Sequence, residues 1–349
     1  MRKANAYLLG IAMIGTSVLL TESCSKSTTT ELLGNWTTAP DFGGDDRGEA
    51  VSFVIGDYAY IGTGTSNNKD KYNDLWRFSL ATKYWESMTS MPAAAGNRNS
   101  AVAFVVGTKA YIGTGYDGAN YLKDLWEFDP AGAAGGKWTQ KADIPAVNGK
   151  DGRQEATAFS LNNMGYVTCG YNGSALLDLW QFNPNSGANG TWTQKASLGA
   201  KRYSAQCFII NGKAYVISGN SSGTVLKDLW MYNDATNQWT EMRKIFNFSS
   251  ESYDDNYTTI PRYNGVAFTQ GGKGYLTTGT NGSNISSTWE YDATADTWLE
   301  KTAFEGSSRA SAIAFVLSDR GFVMTGLSGT APLGNGMEWH PNDAKVDND

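Results

Sequence analysis

Arg98-Asn-Ser-Ala-Val-Ala-Phe104, Lys109-Ala-Tyr-Ile-Gly-Thr-Gly115, Asp124-Leu-Trp-Glu-Phe128 and Lys137-Trp-Thr-Gln-Lys141 follow one another in a single stretch of the chain. Each is a short run with β-branched or aromatic residues, bounded by Gly, Asn, Asp or Ser, which is the pattern of a strand between turns. The four-part phrase recurs. Its opening arginine is Arg47, Arg98, Arg153, Arg202, Arg262 and Arg309, 47 to 60 residues apart, and an aromatic follows six residues later each time, from Phe53 to Phe315. The second part pairs an aromatic with a glycine four residues on, as in Tyr60/Gly64 and Tyr215/Gly219. The third part carries Trp76, Trp126, Trp180, Trp230, Trp289 and Trp339, and the fourth carries Trp36, Trp85, Trp138, Trp192, Trp239 and Trp298. Two repeat positions thereby absorb all twelve tryptophans.

A period near 50 residues marks supersecondary units that bury their faces only by stacking on neighbours. The phrase resembles the kelch repeat over residues 34–349. One departure is consistent: the first glycine of the pair that ends a kelch second strand is Thr63, Thr114, Cys169, Ser218, Thr278 or Thr325 here. The resemblance implies an all-β fold, a six-bladed kelch-type β-propeller with four antiparallel strands per blade. Trp36 stands in a fourth-strand phrase with no three strands before it, and no tryptophan follows Trp339 at the corresponding distance. The strand around Trp36 is therefore expected to complete the last blade, closing the ring and removing the edges an open array would expose.

Arg2 and Lys3 precede an apolar run from Ala4 to Leu20, followed by Thr21-Glu-Ser-Cys24. A charged start, an apolar stretch and a small residue before cysteine resemble a bacterial lipoprotein signal. That implies residues 1–23 as signal peptide, Cys24 as the lipidation site and residues 24–33 as a polar tether. The propeller would then sit in the cell envelope, at the outer membrane or the periplasmic face. Each buried acyl CH₂ contributes about 0.8 kcal/mol, so a multiply acylated cysteine is a firm anchor. Cys169 and Cys207 lie in different repeats beside apolar residues and read as buried thiols, although export would permit a disulfide.

The net charge is −6 and no Lys/Arg run stands out, which argues against a nucleic-acid partner, since that needs a basic stripe. Copper-radical galactose oxidases share the kelch-propeller architecture, but their site takes two His, two Tyr and a thioether-forming Cys. His340 is the one histidine here, so that activity is excluded, and no His/Cys cluster suits zinc. A monomer without metal or cofactor is expected.

With strands named a to d from the axis outward, the d–a and b–c loops share one face, the top. The six arginines stand at the entry of strand a, around the channel mouth. Six guanidiniums there would receive carboxylate or phosphate, as entry arginines of kelch propellers often contact acidic groups, and so favour an anionic ligand. The opposing reading is structural, with each arginine paired to Asp74, Asp124, Asp178 or Asp228, and it is favoured for the ring as a whole.

Function should show where symmetry breaks. Two residues after the arginine, Ser100, Ser204, Asn264 and Ser311 give way to Glu49 and Glu155. A period of two puts these on the same face as their arginines, either as general acid/base groups or salt-bridged to Arg47 and Arg153. The long segment between Trp239 and Arg262 carries Tyr253 and Tyr257 and is expected to project over the top as a lid or binding loop, with a disordered insertion as the alternative. Tyr116 and Tyr171 lie in b–c loops suited to sugar or peptide contacts.

Two functions follow. The favoured one is a binding module for a protein or glycan at the top face. The alternative is a sugar mutarotase of the N-acetylneuraminate epimerase type, whose periplasmic members are six-bladed kelch proteins. There the arginines would hold the sugar carboxylate while Glu49 or Glu155 moved a proton. Enzymatic activity is left open by the sequence.

Overall fold

In the first strand of each repeat the buried residues alternate with half-buried ones: Val102, Phe104 and Val106 are buried, Ala103 and Val105 are not. One face of such a strand packs into the blade interface and the other lines the axis. The computed structural model describes residues 32–67 and 69–347. They form six four-stranded antiparallel sheets. In blade 2, strands a to d are Val102–Val106, Lys109–Gly113, Leu125–Asp129 and Lys137–Lys141. The innermost strands of consecutive blades touch all the way round, so the sheets close into a ring.

Blade 6 takes strands a to c from Ile313–Leu317, Arg320–Met324 and Gly336–His340, and its outer strand from Asn35–Ala39. Trp36 pairs with Trp339 in the register, as the closure argument requires. The lipoprotein-type segment and Cys24 lie outside the described residues.

One aromatic position differs from the sequence reading. Trp339 lies opposite Gly321, the register that Phe78 holds opposite Ala59, while Met337 opposite Val323 takes the place of Trp76 opposite Ile61. Trp339 therefore belongs two residues further along strand c, on the same face. There it packs on the outer-strand indole, as the other blades do. Trp36–Trp339 centroids are 4.6 Å apart, and the other five pairs, such as Phe128–Trp138, are at 4.9 to 5.0 Å. Phe–Tyr stacks between strands a and b, or Phe315–Phe322 in blade 6, repeat at 4.9 to 5.5 Å. Such pairs contribute roughly 0.5–1.5 kcal/mol each beyond area burial. Outer indoles also tie blades together: Trp138, Trp192, Trp239 and Trp36 donate Nε1–H to Thr89, Ala142, Ala196 and Thr302 carbonyls of the preceding blade.

The segment between Trp239 and Arg262 is not a lid. Ile245, Tyr257 and Ile260 are buried in the blade 4–5 core, and the Tyr257 hydroxyl accepts the Trp298 backbone N–H. Tyr253 packs beneath the Arg243 guanidinium, 4.7 Å from the ring centroid. The buried Asp254 carboxylate accepts from the Phe248 and Ser249 amides, and the turn Ser252–Asp254 rests on the outer strand of blade 5. The segment has its own apolar anchors, and these seat it against the blade's side.

Candidate functional site

The site is built by two hydrogen-bonded rings and the arginines that hold them. In each blade the arginine before strand a reaches across strands a, b and c of its own sheet. Arg98 donates to the Thr114 carbonyl at 3.1 Å and grips Asp124 with both Nη atoms at 2.7 Å. Arg47–Asp74, Arg153–Asp178 and Arg202–Asp228 repeat this fork. The same aspartates accept the indole N–H of Trp76, Trp126, Trp180 and Trp230, which explains the Asp-Leu-Trp phrase. Blades 5 and 6 lack the carboxylate: Arg262 bonds the Ser287 hydroxyl and four carbonyls, and Arg309 bonds Asn335. Burial without a counter-ion pushes Arg262 down to about 9 and Arg309 to about 10.

All six arginines are 0–1% exposed. The ring of guanidiniums open to an anionic ligand does not form, because the aspartate column draws the arginines into the blades. Arg47, Arg98, Arg153, Arg202, Arg262 and Arg309 are structural clamps.

Their backbones close the first ring. Gly64, Gly115, Gly170, Gly219, Gly279 and Gly326 each donate N–H to the next blade's arginine carbonyl at 2.7–2.9 Å. Glycine is needed because φ there is 91–108°, and a Cβ on Gly115 would lie 2.6 Å from the Asn99 carbonyl.

The second ring lies two residues after the arginines. Glu49, Ser100, Glu155, Ser204, Asn264 and Ser311 all sit at φ 52–57°. Each donates its amide to the carbonyl of its counterpart in the preceding blade at 2.7–3.1 Å, and Glu49 donates to Ser311, so the cycle is complete. Such a cycle polarises cooperatively. A left-handed backbone breaks the period of two, so these side chains do not share a face with their arginines. They turn into the mouth instead, where all six line a cavity of about 170 Å³ above a ring of Ala50, Ala101, Ala156, Ala205, Gly265 and Ala312.

Glu49 and Glu155 are therefore brought together at one mouth, and neither pairs with Arg47 or Arg153. Glu49 accepts from the Asn99 amide and the Ser100 hydroxyl at 3.2 Å. Glu155 accepts from the Ser204 hydroxyl and the Gln154 amide at 3.3 Å. Among the described residues no cation lies within ion-pair distance of either. Burial pushes Glu155 above its ordinary value, and the Glu49 charge adds to this while the Ser204 hydrogen bond opposes it.

Tyrosines wall one side. Tyr116, Tyr121, Tyr171 and Tyr203 run in contact across blades 2 to 4, with centroids 5.7, 5.9 and 5.4 Å apart. Tyr203 and Tyr263 follow the arginines of blades 4 and 5, whereas blades 6 and 1 put Ala310 and Gly48 there. The positions flanking the ring are thus aromatic in blades 2 to 5 and small in blades 6 and 1. Tyr116 and Tyr171 were expected on this face. Tyr253 and Tyr257 are absent from it, being packed on blade 5. Tyr121, Tyr203, Asn99 and Gln206 were not singled out by sequence; aligning the residue after each arginine (Gly48, Asn99, Gln154, Tyr203, Tyr263, Ala310) reveals the asymmetry. Cys169 and Cys207 are unbridged, and burial pushes the Cys169 thiol up to about 11.

The KLHDC2/KLHL20/DRC7 Kelch-repeats domain matches residues 28–200, and the Kelch motif matches residues 201–244. The leucine-zipper-like transcriptional regulator 1 homolog of Drosophila melanogaster is 27% identical over 220 residues. That alignment covers 59% of this chain and 21% of the relative, so the chain spans about a fifth of that protein's length. With six blades closed by the N-terminal strand and these matches along the repeats, the chain belongs to the kelch-repeat β-propeller family.

Proposed function

We propose that this propeller is a binding module, displayed on the cell envelope by an acylated Cys24, that seats a polypeptide on its top face. The observation that carries this is where the sixfold pattern fails: the tyrosine wall and the two carboxylates collect at one channel mouth. Kelch propellers generally mediate protein interactions, and tyrosines supply rigid amphipathic contact area. Peptides selected on the full chain should lose about tenfold or more in affinity to Tyr171→Ala or Tyr203→Ala, as aromatic anchors do. Tyr84→Ala on an outer strand should leave affinity unchanged. Equal losses from all three would refute the top face as the contact surface. Cys24→Ser should abolish incorporation of an alkynyl fatty acid and release the protein from membranes; retained labelling counts against the anchor.

A glycan ligand or a mutarotase activity has one observation in its favour, the raised proton affinity of Glu155 beside Glu49, which suits acid/base work. The buried arginines no longer serve to hold a sugar carboxylate. Exchange between anomers of N-acetylneuraminate, followed by NMR, decides this: turnover abolished by Glu155→Gln supports the enzyme, and no turnover leaves the binding module.

A further inference from the structure

We propose that the channel mouth receives one basic side chain, lysine or arginine, projecting from the polypeptide held against the tyrosine wall. This rests on the binding-module reading and reverses the sign of the ligand that the arginine column suggested.

Around Glu49 and Glu155 the neighbouring donors are already committed, while acceptors remain. The hydroxyls of Ser100 and Ser204 and the amides of Asn99 and Gln154 already donate to Glu49 and Glu155. All six ring amides are committed to ring carbonyls. On the acceptor side, both carboxylates lack a cation. Gln206, 4% exposed, lines both this cavity and the layer below it, and its Oε1 has no partner while its Nε2 donates to the Ser204 carbonyl at 2.6 Å. Unpaired buried acceptors are costly, and a donor-rich group relieves them. An ammonium or guanidinium brings three or five donors and no acceptor.

Charge argues the same way. The Glu49 charge adds to the cost of ionising the buried Glu155, and a cation between them offsets it. The tyrosine wall suits a cation as well, since Lys71 already sits 5.5 Å from the Tyr116 ring centroid. Below the mouth the channel continues as a second cavity of about 210 Å³, lined by small residues together with Ser52, Thr157 and Gln206, so a charged head group that reaches the carboxylates is not blocked from beneath. Two carboxylates do not make a metal cage, and no group of three or more His, Cys, Asp or Glu suited to a metal exists among the described residues.

The test titrates the full chain with n-butylammonium and n-butylguanidinium, against n-butanol and butyrate, reading amide shifts of Glu49, Ser100, Glu155 and Ser204 by NMR. Saturable shifts at these amides from the two cations alone are expected. Glu155→Gln and Glu49→Gln should each weaken them about tenfold or more, as expected when one partner of a desolvated charge pair is removed. Equal shifts from butanol or butyrate, or unchanged cation affinity in the Glu49→Gln/Glu155→Gln variant, overturn the proposal. Selected peptides separate it from the parent reading. Peptides that bind but tolerate norleucine at every basic position overturn the cation site and leave the module standing. Cations that saturate the mouth while no peptide binds the face overturn the module reading instead, and with it the polypeptide source.

Discussion

The Trp36 indole lies 4.6 Å from that of Trp339 although the two residues stand near opposite ends of the chain, the closest of six equivalent outer-strand contacts. Trp36 is fully buried, also meets Phe304 at 5.0 Å and donates to the Thr302 carbonyl of blade 5. One side chain thus joins the first strand to the last two blades in chain order. Trp36→Ala should cost about 3–5 kcal/mol, the range for a large aromatic removed from a core. Trp138→Ala, half-buried at the same repeat position in an internal blade, should cost less. Thermal unfolding compares them; equal losses would mean that closure contributes nothing beyond local packing.

Asp124 and Asn335 hold the same place in blades 2 and 6, each receiving an arginine fork. The natural presence of asparagine sets the scale. Asp124→Ala strands the buried Arg98 and should cost about 3–5 kcal/mol, whereas Asp124→Asn should keep most of that stability. Urea midpoints of the two variants give the answer, and an alanine variant as stable as the asparagine one would remove the clamp from the account of the fold.

The repeat made most of this architecture legible. The arginine and aromatic columns run through all six blades and the paired aspartate through four, and so many copies of a column leave little room for accident. What escaped the sequence depends on local conformation. Trp339 sits two places from its expected position because residues two apart on a strand share a face, so an indole serves at either. Glu49 and Glu155 turn into the mouth because the period of two holds only for extended backbone, and theirs is left-handed. The segment carrying Tyr253 and Tyr257 is long, but length does not say which surface it covers; Ile245 and Ile260 do. Of the two readings the sequence left for the arginine column, the favoured structural one holds, because the aspartates of blades 1 to 4 draw the guanidiniums into the sheets.

Gly115 and Gly107 both have positive φ, but their surroundings differ. A Cβ on Gly115 meets the Asn99 carbonyl at 2.6 Å, in the backbone that closes the blade 2–3 contact, whereas one on Gly107 at a hairpin tip meets nothing within 4 Å. Gly107→Ala should therefore cost about 1 kcal/mol, for the left-handed residue alone. Gly115→Ala should cost about 1–3 kcal/mol more through strain and loss of the inter-blade bond. Circular dichroism melts suffice, and matching costs would show that close approach at this ring is not constraining.

Glu155 gives the last test, because its cost to the fold and its use at the mouth have one origin. Burial raises its folded pKa above the ordinary 4.5, and the Glu49 charge raises it further. The folded protein therefore holds this proton more tightly than the unfolded chain does. Its contribution to stability is full below the unfolded pKa and is lost as pH rises through the folded pKa, so at neutral pH the ionised carboxylate is a liability. Glu155→Gln has no such proton to lose. The variant should melt above the wild type at pH 7, with the gap closing as pH falls toward 4. A gap that is independent of pH, or a variant less stable at pH 7, would show that Glu155 is satisfied where it sits. If a basic group enters the mouth as proposed, its charge offsets this cost. Saturating n-butylammonium should therefore raise the wild-type melting temperature at pH 7 and leave that of Glu155→Gln nearly unchanged.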